Sequence, residues 1–408
     1  MKKLVVLAVG GMVLLGLTAA PAVALSPQEE LGRRIFFDQN LSLNSNQSCA
    51  ACHGPAAGWT GPDPALNAGG SVYEGSIPGR FGNRKPPSSA YATPSPILHI
   101  VTEKKEALFV GGNFWDGRAT GERLGSPAAE LAQGPFLNPL EQAMYSAADV
   151  ISRICASVYA GSFTAVCGPD ACDPENTPAA YDCVGFSVAA YEGSSEVNQF
   201  SSKYDAFLKG QASLTKQERL GLNLFKSKGK CANCHVMDPG PNGEPPLFTD
   251  FTYDNLGLPR NPMNPFYGEP AFNPQGFAWI DLGLGGFLAS YADYLQYAAA
   301  NYGQMKAPTL RNVDKWDPSL GPKSKAYGHN GYFKTLKQIV HFYNTRDSKP
   351  PCLSAFTPVD VAVANGCWPA PEVPVNVNTS ELGNLHLTDA QEEAIVAFMT
   401  TLSDGFAP

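Results

Sequence analysis

The chain is poor in histidine and in basic residues, and beyond its N-terminus it has no long apolar run. Its 408 residues include 6 His, and 29 Lys and Arg stand against 37 Asp and Glu, which gives a net charge of −8. An acidic balance disfavours nucleic acid as a partner, because the phosphate backbone requires clustered basic side chains. No stretch after the N-terminus reaches the roughly 20 apolar residues of a membrane-spanning helix. We therefore predict neither a nucleic-acid partner nor a membrane span in the processed chain.

The N-terminus has the pattern of a secretory signal peptide. Lys2 and Lys3 precede an apolar run, and a small-residue cleavage site follows at 22–24. A membrane anchor is the alternative, but the run is short for a spanning helix. We interpret residues 1–24 as a signal peptide and expect a soluble protein exported to the periplasm.

Four of the ten cysteines belong to two Cys-x-x-Cys-His motifs, at 49–53 and 231–235. Two thiols one helical turn apart, followed at once by a histidine, form the attachment pattern of c-type haem. A redox dithiol does not need the histidine, and a zinc site would require distant thiols to converge. We predict two covalent haem c groups, each held by two thiols and one histidine iron ligand: Cys49, Cys52 and His53, and Cys231, Cys234 and His235.

The other six cysteines are predicted to form three disulfides, as is usual in an oxidising compartment. Cys352 and Cys367 lie close together and far from the rest, so we expect them to pair. The remaining four allow three pairings, among which the sequence does not choose: Cys155, Cys167, Cys172 and Cys183.

The two haem motifs follow similar helices, which indicates an internal repeat. Each helix begins with a capping box, at 26–29 and 215–218, and each continues with Leu-Gly, two residues and an aliphatic-Phe pair. A third box at 388–391 begins a terminal helix. We predict a mostly α fold of two cytochrome c-like haem domains with long loops. The expected domains are 25–195 and 213–408, with a linker near 193–213 and irregular segments at 63–96 and 239–286.

Further motifs lie in a fixed order along nearly the whole processed chain, at 31–38, 83–87, 114–119, 134–141, 307–313, 329–331 and 340–344. In this order they resemble the bacterial di-haem cytochrome c peroxidase and MauG superfamily. The resemblance implies that hydrogen peroxide reacts at the N-terminal haem domain. The C-terminal domain would then transfer electrons and store an oxidising equivalent.

The resemblance also assigns roles to single residues. Glu141 matches the distal glutamate, which moves a proton between the two peroxide oxygens, and Trp115 matches the tryptophan between the haems. Without the flanking motifs, a surface glutamate and a core aromatic would be the ordinary interpretations. Leu131 stands where the family usually has a distal Gln, unless an insertion shifts the alignment. Asn83 and Pro308 match residues that hold a calcium ion between the domains.

Tyr343 indicates the branch of the superfamily. Ordinary members have Met at this position, whereas MauG and the related MbnH have Tyr. On a helix, Leu336, Val340 and Tyr343 share one face, while His341 points about 200° away from Tyr343. The resemblance thus implies Tyr343 as the second iron ligand opposite His235; a buried aromatic is the alternative.

The segment between His53 and His99 contains no histidine, whereas ordinary members have one there that caps the first iron. We therefore expect an open position opposite His53 without prior reduction. His99 lies in an apolar Ile-Leu-His-Ile context and is interpreted as a core residue.

These patterns favour a di-haem peroxidase or oxidase that oxidises a side chain, such as Trp, in a partner protein. One alternative is a cytochrome c peroxidase that takes electrons from a small cytochrome c or cupredoxin. A di-haem electron carrier without peroxide chemistry is the other.

Overall fold

A computed structural model of the protein describes residues 24–103, 106–240 and 243–407. The signal-peptide prediction falls outside these residues except at its last position. Helices dominate the regular structure, as predicted, and the strands form two short antiparallel pairs. The α-helices are α1 (Pro27–Phe37), α2 (Cys49–Cys52), α3 (Pro64–Ala68), α4 (Pro127–Leu137), α5 (Ala147–Cys155), α6 (Ala160–Cys167), α7 (Thr177–Gly193), α8 (Lys203–Leu208), α9 (Lys216–Lys226), α10 (Gly283–Ala289), α11 (Leu336–Thr345), α12 (Val359–Ala364) and α13 (Asp389–Thr400). The strands are β1 (His99–Glu103), β2 (Glu106–Val110), β3 (Tyr253–Asp254) and β4 (Met305–Lys306).

The three predicted capping boxes begin the helices that frame the two haem motifs. In α1 the Ser26 hydroxyl accepts from the Glu29 amide while the Glu29 carboxylate accepts from the Ser26 amide. Thr215 begins α9 and Thr388 begins α13 with the same reciprocal pair. Each box satisfies amide groups that a helix N-terminus otherwise leaves without partners.

The repeated Leu-Gly pair is explained by two close helix crossings. A Cβ atom on Gly32 of α1 would lie 1.8 Å from the Ser187 carbonyl oxygen of α7. A Cβ atom on Gly221 of α9 would lie 1.8 Å from the Ala394 carbonyl oxygen of α13. Any side chain would force the helices apart, so both sites require glycine. Each lead-in helix therefore packs against one later helix, α7 in the first case and the terminal α13 in the second.

The apolar core is divided along the chain. One cluster joins α1, α4, α5, α6 and α7 and extends from Leu31 to Val197. A second cluster runs from Tyr204 to Leu402 and includes α9, α11 and α13. A small third cluster packs the β1–β2 hairpin against α10. The buried residues of the first large cluster precede residue 200, and those of the second follow it.

The predicted linker at 193–213 is more than a connection. It contains α8, which begins at a capping box of Ser202 and Asp205. Arg311 donates two hydrogen bonds to the buried Asp205 carboxylate, at 3.0 and 2.9 Å. The linker stays a prediction, and the ion pair fastens the helix within it to the core.

All three predicted disulfides are present. Cys352 pairs with Cys367 as expected. The four clustered cysteines pair as Cys155–Cys172 and Cys167–Cys183, which joins α5, α6 and α7. Among the described helices, none taken singly is long and apolar enough to cross a membrane. The pair α5 and α6 passes on length and composition only when combined, with a bend of 117° between them.

A buried and a half-buried lysine connect the two halves of the chain through backbone oxygens. Lys325 donates to the Ala57, Asn312 and Lys315 carbonyls at 2.8, 3.2 and 2.9 Å. Lys334 donates to the carbonyls of Asn67, Gly69 and Gly331 and to the Ser71 hydroxyl. Through several hydrogen bonds each, these lysine amino groups hold irregular segments where regular structure is absent.

Candidate functional site

The four motif cysteines remain unpaired although the other six all form disulfides. α2 spans the first pair and places both thiols one turn apart. A 3₁₀ turn at Cys231–Asn233 does the same for the second pair. The thiols are thus left available for thioether bonds, as haem attachment requires.

The second motif opens into a large cavity. Cys231, Cys234, His235 and Tyr343 all line it, and its empty volume is ≈ 1740 Å³ including open solvent. The His235 Nδ1–H donates to the Phe248 carbonyl at 2.9 Å, which leaves Nε2 as the free ring nitrogen. Iron-binding histidines usually make such a bond to a carbonyl, because it fixes the ring and its tautomer. The residues therefore fit a haem c.

Tyr343 faces the same cavity as His235. It lies on α11, and Leu336 and Val340 of the same helix face also line the cavity. Burial raises the pKa of the phenol, and the nearby Cys231 and Cys234 add to the increase. None of the described residues hydrogen-bonds to the Tyr343 hydroxyl. The predicted orientation of this helix face is confirmed.

His341 points away from the cavity, as its helical position predicted. Its Nδ1 lies 2.9 Å from a Glu392 carboxylate oxygen on α13. This contact belongs to the packing of α11 against α13. His341 is thus excluded from the set of residues around Tyr343.

The first motif borders a second, smaller cavity. His53, Trp115, Leu131 and Glu192 are among its lining residues, and its empty volume is ≈ 660 Å³ including open solvent. His53 Nδ1 is buried without a hydrogen-bond partner, and burial lowers the pKa of its ring to about 4. A neutral imidazole is the form that binds iron. His53 therefore fits the role of an iron ligand facing this cavity, while Cys49 and Cys52 are not among the lining residues.

Trp115 forms part of the wall of both cavities. Its indole N–H donates to the Lys85 carbonyl at 2.8 Å, and its ring centroid lies 6.4 Å from that of His329. Only 8% of the residue is exposed. The tryptophan predicted to lie between two haems is therefore held rigidly between the two cavities.

The motif after Trp115 explains how the ring is held. Asp116 accepts from Arg84 at 2.6 Å, and Arg84 also binds Asp281 at 2.7 Å. Gly117 has φ 76°, and a Cβ atom there would lie 2.5 Å from the Tyr253 hydroxyl. The Asp-Gly pair thus supplies a buried ionic anchor and a turn that only glycine fits.

Glu141 lies in the loop after α4 and near the first motif. Burial raises the pKa of its carboxyl group, while Arg118 and a hydrogen bond from Asn138 oppose the increase. Its charge in turn helps to raise the pKa of Cys49 and Cys52. Glu141 is not among the residues that line the smaller cavity.

Leu131 does line the smaller cavity, at the place where the family usually has a glutamine. Gln133, the glutamine nearest in sequence, donates instead to the Tyr181 carbonyl and the Asp182 carboxylate. A shift of alignment around α4 therefore does not bring an amide into the cavity. This wall of the cavity is apolar.

Three further residues belong to the site: Glu192 and Lys306 had no signal in the sequence, and Lys85 lies in the motif at 83–87, where no role was assigned to it. Glu192 lines the smaller cavity, and burial raises its pKa to about 8. Lys306 lines both cavities and donates to the Ser95 hydroxyl and to the carbonyl of Gly112. Lys85 lines the larger cavity and donates to the Thr60 hydroxyl at 2.8 Å. They bring one carboxyl group and two lysine amino groups to the walls of the cavities.

Asn83 and Pro308, the residues predicted to hold calcium, have different surroundings. Pro308 lines both cavities, whereas Asn83 lines neither and its carbonyl accepts from Asn264. Among the described His, Cys, Asp and Glu residues, the one group close enough to share a metal is Cys234, Asp254 and Glu381, which includes a haem-attachment thiol. Calcium at Asn83 and Pro308 therefore stays a prediction.

His99 is exposed on β1, and its Nδ1 lies 2.8 Å from the Ile97 carbonyl oxygen. Its interpretation as a core residue was wrong. The hairpin packs only one face against α10, so an apolar sequence context does not ensure burial.

Two cavities that share a tryptophan, each with a Cys-x-x-Cys-His motif in its wall or beside it, define a di-haem c-type protein. A family model described as di-haem cytochrome c peroxidase matches residues 26–213. The methylamine utilization protein MauG of Paracoccus denitrificans (strain Pd 1222) is 34% identical over 383 residues, 92% of this chain and 88% of that protein. The cytochrome-c peroxidase IdrP2 of Pseudomonas sp. (strain SCT) is 26% identical over 94% of this chain and 83% of its own length.

Solved structures agree. The diheme peroxidase BthA of Burkholderia thailandensis E264 superposes with a TM-score of 0.70 at 31% identity, covering 93% of this chain and 87% of that one. A MauG-like protein associated with microbial copper homeostasis matches in fold, with a TM-score of 0.60 at 22% identity over 97% and 96% of the two chains. The chain belongs to the di-haem cytochrome c peroxidase and MauG family. It is a peroxidase-type oxidoreductase.

Proposed function

We propose that the protein reduces hydrogen peroxide at the His53 cavity. The oxidising equivalents of both haem sites would then oxidise a side chain, such as Trp, in a partner protein. The observation that carries this proposal is the position of Trp115 in the wall of both cavities, with Tyr343 facing the His235 cavity. Residues 25–195 would form the peroxidatic domain and 213–408 the electron-transfer domain. The division of the apolar core near residue 200 supports that assignment.

Bound haem c would supply the iron that meets peroxide at one site and the store of oxidising equivalents at the other. Around the first site, Glu141 has the chemistry to carry a proton from one peroxide oxygen to the other. Burial favours its protonated form, so it can alternate between accepting and donating. Leu131 adds no hydrogen bond there, so we assign the proton transfer to Glu141, although Glu192 is the carboxyl group that lines the cavity.

At the second site, His235 and Tyr343 would be the two iron ligands. The Phe248 carbonyl orients the imidazole, and the phenol has no competing partner among the described residues. A phenolate is a hard anionic donor that lowers the reduction potential of iron. Metal binding would overcome the raised pKa of the phenol, because coordination favours the deprotonated form.

Trp115 would carry electrons between the two sites. Its hydrogen bond to Lys85 and the ionic anchor at Asp116 hold the ring in one position. An indole is readily oxidised, and a rigid ring changes little in geometry when it loses an electron. These features favour rapid electron transfer between the two haem sites.

A small redox protein is the second candidate for the electron donor, because some relatives carry the name cytochrome-c peroxidase. The acidic net charge suits a basic partner of either kind. We propose that the reaction takes place in the periplasm, where haem c proteins and their partners are exported. Calcium stays a prediction, and metal analysis of the purified holoprotein tests it.

Trp115→Phe tests the relay, with Trp279→Phe as the control, because Trp279 lines neither cavity. In the full-length protein with both haems, we expect Trp115→Phe to consume peroxide without the near-infrared band that reports coupled haem sites. Trp279→Phe should behave as wild type. A Trp115→Phe variant with the same band would contradict the relay.

The donor is tested by adding a reduced small cytochrome c or cupredoxin together with excess peroxide. We expect the carrier to be oxidised slowly relative to the rate of peroxide cleavage. Rapid, saturable oxidation of the carrier would favour the ordinary peroxidase reaction instead.

A further inference from the structure

We propose that Trp59 and Tyr191 form an internal electron donor to the first haem site, with Glu196 as acceptor of the phenol proton. The inference rests on the proposed peroxide reaction and adds a second route, separate from Trp115. It assigns a redox role to two aromatic residues that line neither cavity.

Trp59 is fastened to the residue that follows the predicted iron ligand. Its amide donates to the Gly54 carbonyl at 2.9 Å, and Gly54 in turn donates to the Thr60 carbonyl at 2.9 Å. The Ser89 amide also donates to the Trp59 carbonyl. Trp59 has φ 63°, a left-handed conformation that is uncommon for a bulky residue. Such strained positions cluster at functional sites, and this one lies six residues after His53.

Tyr191 continues the route toward the surface. Its ring centroid lies 5.9 Å from that of Trp59 with an interplanar angle of 73°. Phe36 touches both rings, at 5.8 Å from Trp59 and 5.6 Å from Tyr191. The rings therefore form one continuous contact, over distances that electrons cross without further groups.

The phenol of Tyr191 has a ready proton acceptor. Tyr191 is completely buried, yet its hydroxyl donates to Glu196 Oε1 at 2.7 Å, and Glu196 is exposed to solvent. Burial and Glu196 both raise the pKa of the phenol, so it is protonated at rest. Loss of an electron from the ring makes the phenol strongly acidic. The short bond to Glu196 then lets the proton leave at the same time.

The redox balance is simple. Hydrogen peroxide takes up two electrons and two protons to give two molecules of water. Trp59 gives one electron to the oxidised first site, and Tyr191 returns one electron to Trp59 as its O–H bond breaks and the proton passes to Glu196. The second electron comes from the partner substrate. Tyr191 is left as a neutral radical that an external donor reduces.

The experiment treats the full-length protein with stoichiometric peroxide and follows it by rapid-freeze EPR and visible spectra. We expect a tyrosyl radical in the wild type that is lost in Tyr191→Phe. Trp59→Phe should also lose it although Tyr191 is intact, because the connection is cut. In both variants the oxidised visible spectrum should decay more slowly by roughly tenfold, as a modest rise in barrier would produce.

Tyr159→Phe is a matched control. Its hydroxyl donates to the Asp38 carboxylate at 2.6 Å, like the pair of Tyr191 and Glu196, but among the described rings it makes no close pair with Trp59. This variant should keep the radical and the wild-type decay. Glu196→Gln should slow radical formation and make its rate depend on pH differently from wild type.

The outcomes separate the two proposals. Peroxide consumption with the same radical and decay in wild type, Tyr191→Phe and Trp59→Phe would overturn the route alone. A wild-type protein that does not react with peroxide at all would overturn the proposed function and the route together. Loss of the radical in Tyr159→Phe would also overturn the route, because it would assign the radical to another tyrosine.

Discussion

The buried pair of Arg311 and Asp205 predicts a large effect of a very small substitution. Both side chains are only 1% exposed. Arg311 binds both carboxylate oxygens of Asp205, donates to the Pro246 carbonyl at 2.7 Å and lies 4.5 Å from the Phe200 ring centroid. Arg311 itself lines the larger cavity. The pair thus joins α8 to the wall of the predicted second haem site.

Asp205→Asn keeps the shape but leaves the arginine charge buried without its counterion. Removing one partner of a buried ion pair costs about 3–5 kcal/mol, so the free energy of unfolding should fall by that amount. Urea unfolding of the haem-loaded protein, followed by tryptophan fluorescence, measures the change. The control is Asp314→Asn, whose partner Lys323 is 46% exposed and which should cost no more than about 1 kcal/mol.

The same pair predicts a dependence of stability on pH. Burial raises the pKa of Asp205, but the hydrogen bonds and charge of Arg311 outweigh this and hold the pKa below its usual value. A depressed folded pKa contributes stability above the unfolded pKa and loses it as the pH falls through the folded value. Asp205→Asn should therefore differ most from wild type near neutral pH and converge with it in acid. A loss below about 1 kcal/mol at neutral pH would refute the reasoning, because an ion pair this buried would then contribute no more than an exposed one.

Three further predictions concern the haem sites and the contacts of Lys325 between the two halves of the chain. Tyr343→Phe should change the EPR spectrum of the oxidised second haem by removing its phenolate ligand; an identical spectrum would exclude Tyr343 as ligand. Glu141→Gln should slow peroxide cleavage by roughly 10²–10⁴-fold while both haems stay attached, and a wild-type rate would remove Glu141 from the reaction. Lys325→Met should lower the free energy of unfolding by about 1–3 kcal/mol, because three carbonyls lose their buried donor; equal stability in urea unfolding would contradict that role. Lys323→Met, at an exposed position, is its control.

The parts of the fold that follow from local chemistry were predictable. Capping boxes at Ser26, Thr215 and Thr388 begin helices because the required donors and acceptors lie within three residues of each other. The motif thiols were also identified from spacing alone, because the whole attachment pattern lies within five consecutive residues. Tyr343 was placed on the correct face because helical period settles direction.

Other features depend on contacts between distant segments. Glu192 and Lys306 become part of the cavities only when α7 and β4 meet the haem motifs, and nothing near them in sequence indicates this. The helix in the predicted linker is anchored by Arg311, more than 100 residues away. His99 was misjudged because its apolar neighbours lie on a hairpin with an open face.

We propose that the two haem sites share the oxidising equivalents of one peroxide without prior reduction. The most direct test adds stoichiometric hydrogen peroxide to the oxidised holoprotein and records spectra from the visible into the near infrared. We predict an immediate reaction with a near-infrared band, as expected for coupled haem sites with Tyr343 as a ligand. A protein that reacts only after one haem has been reduced would contradict the claim, and would make Tyr343 a packing residue in an ordinary peroxidase.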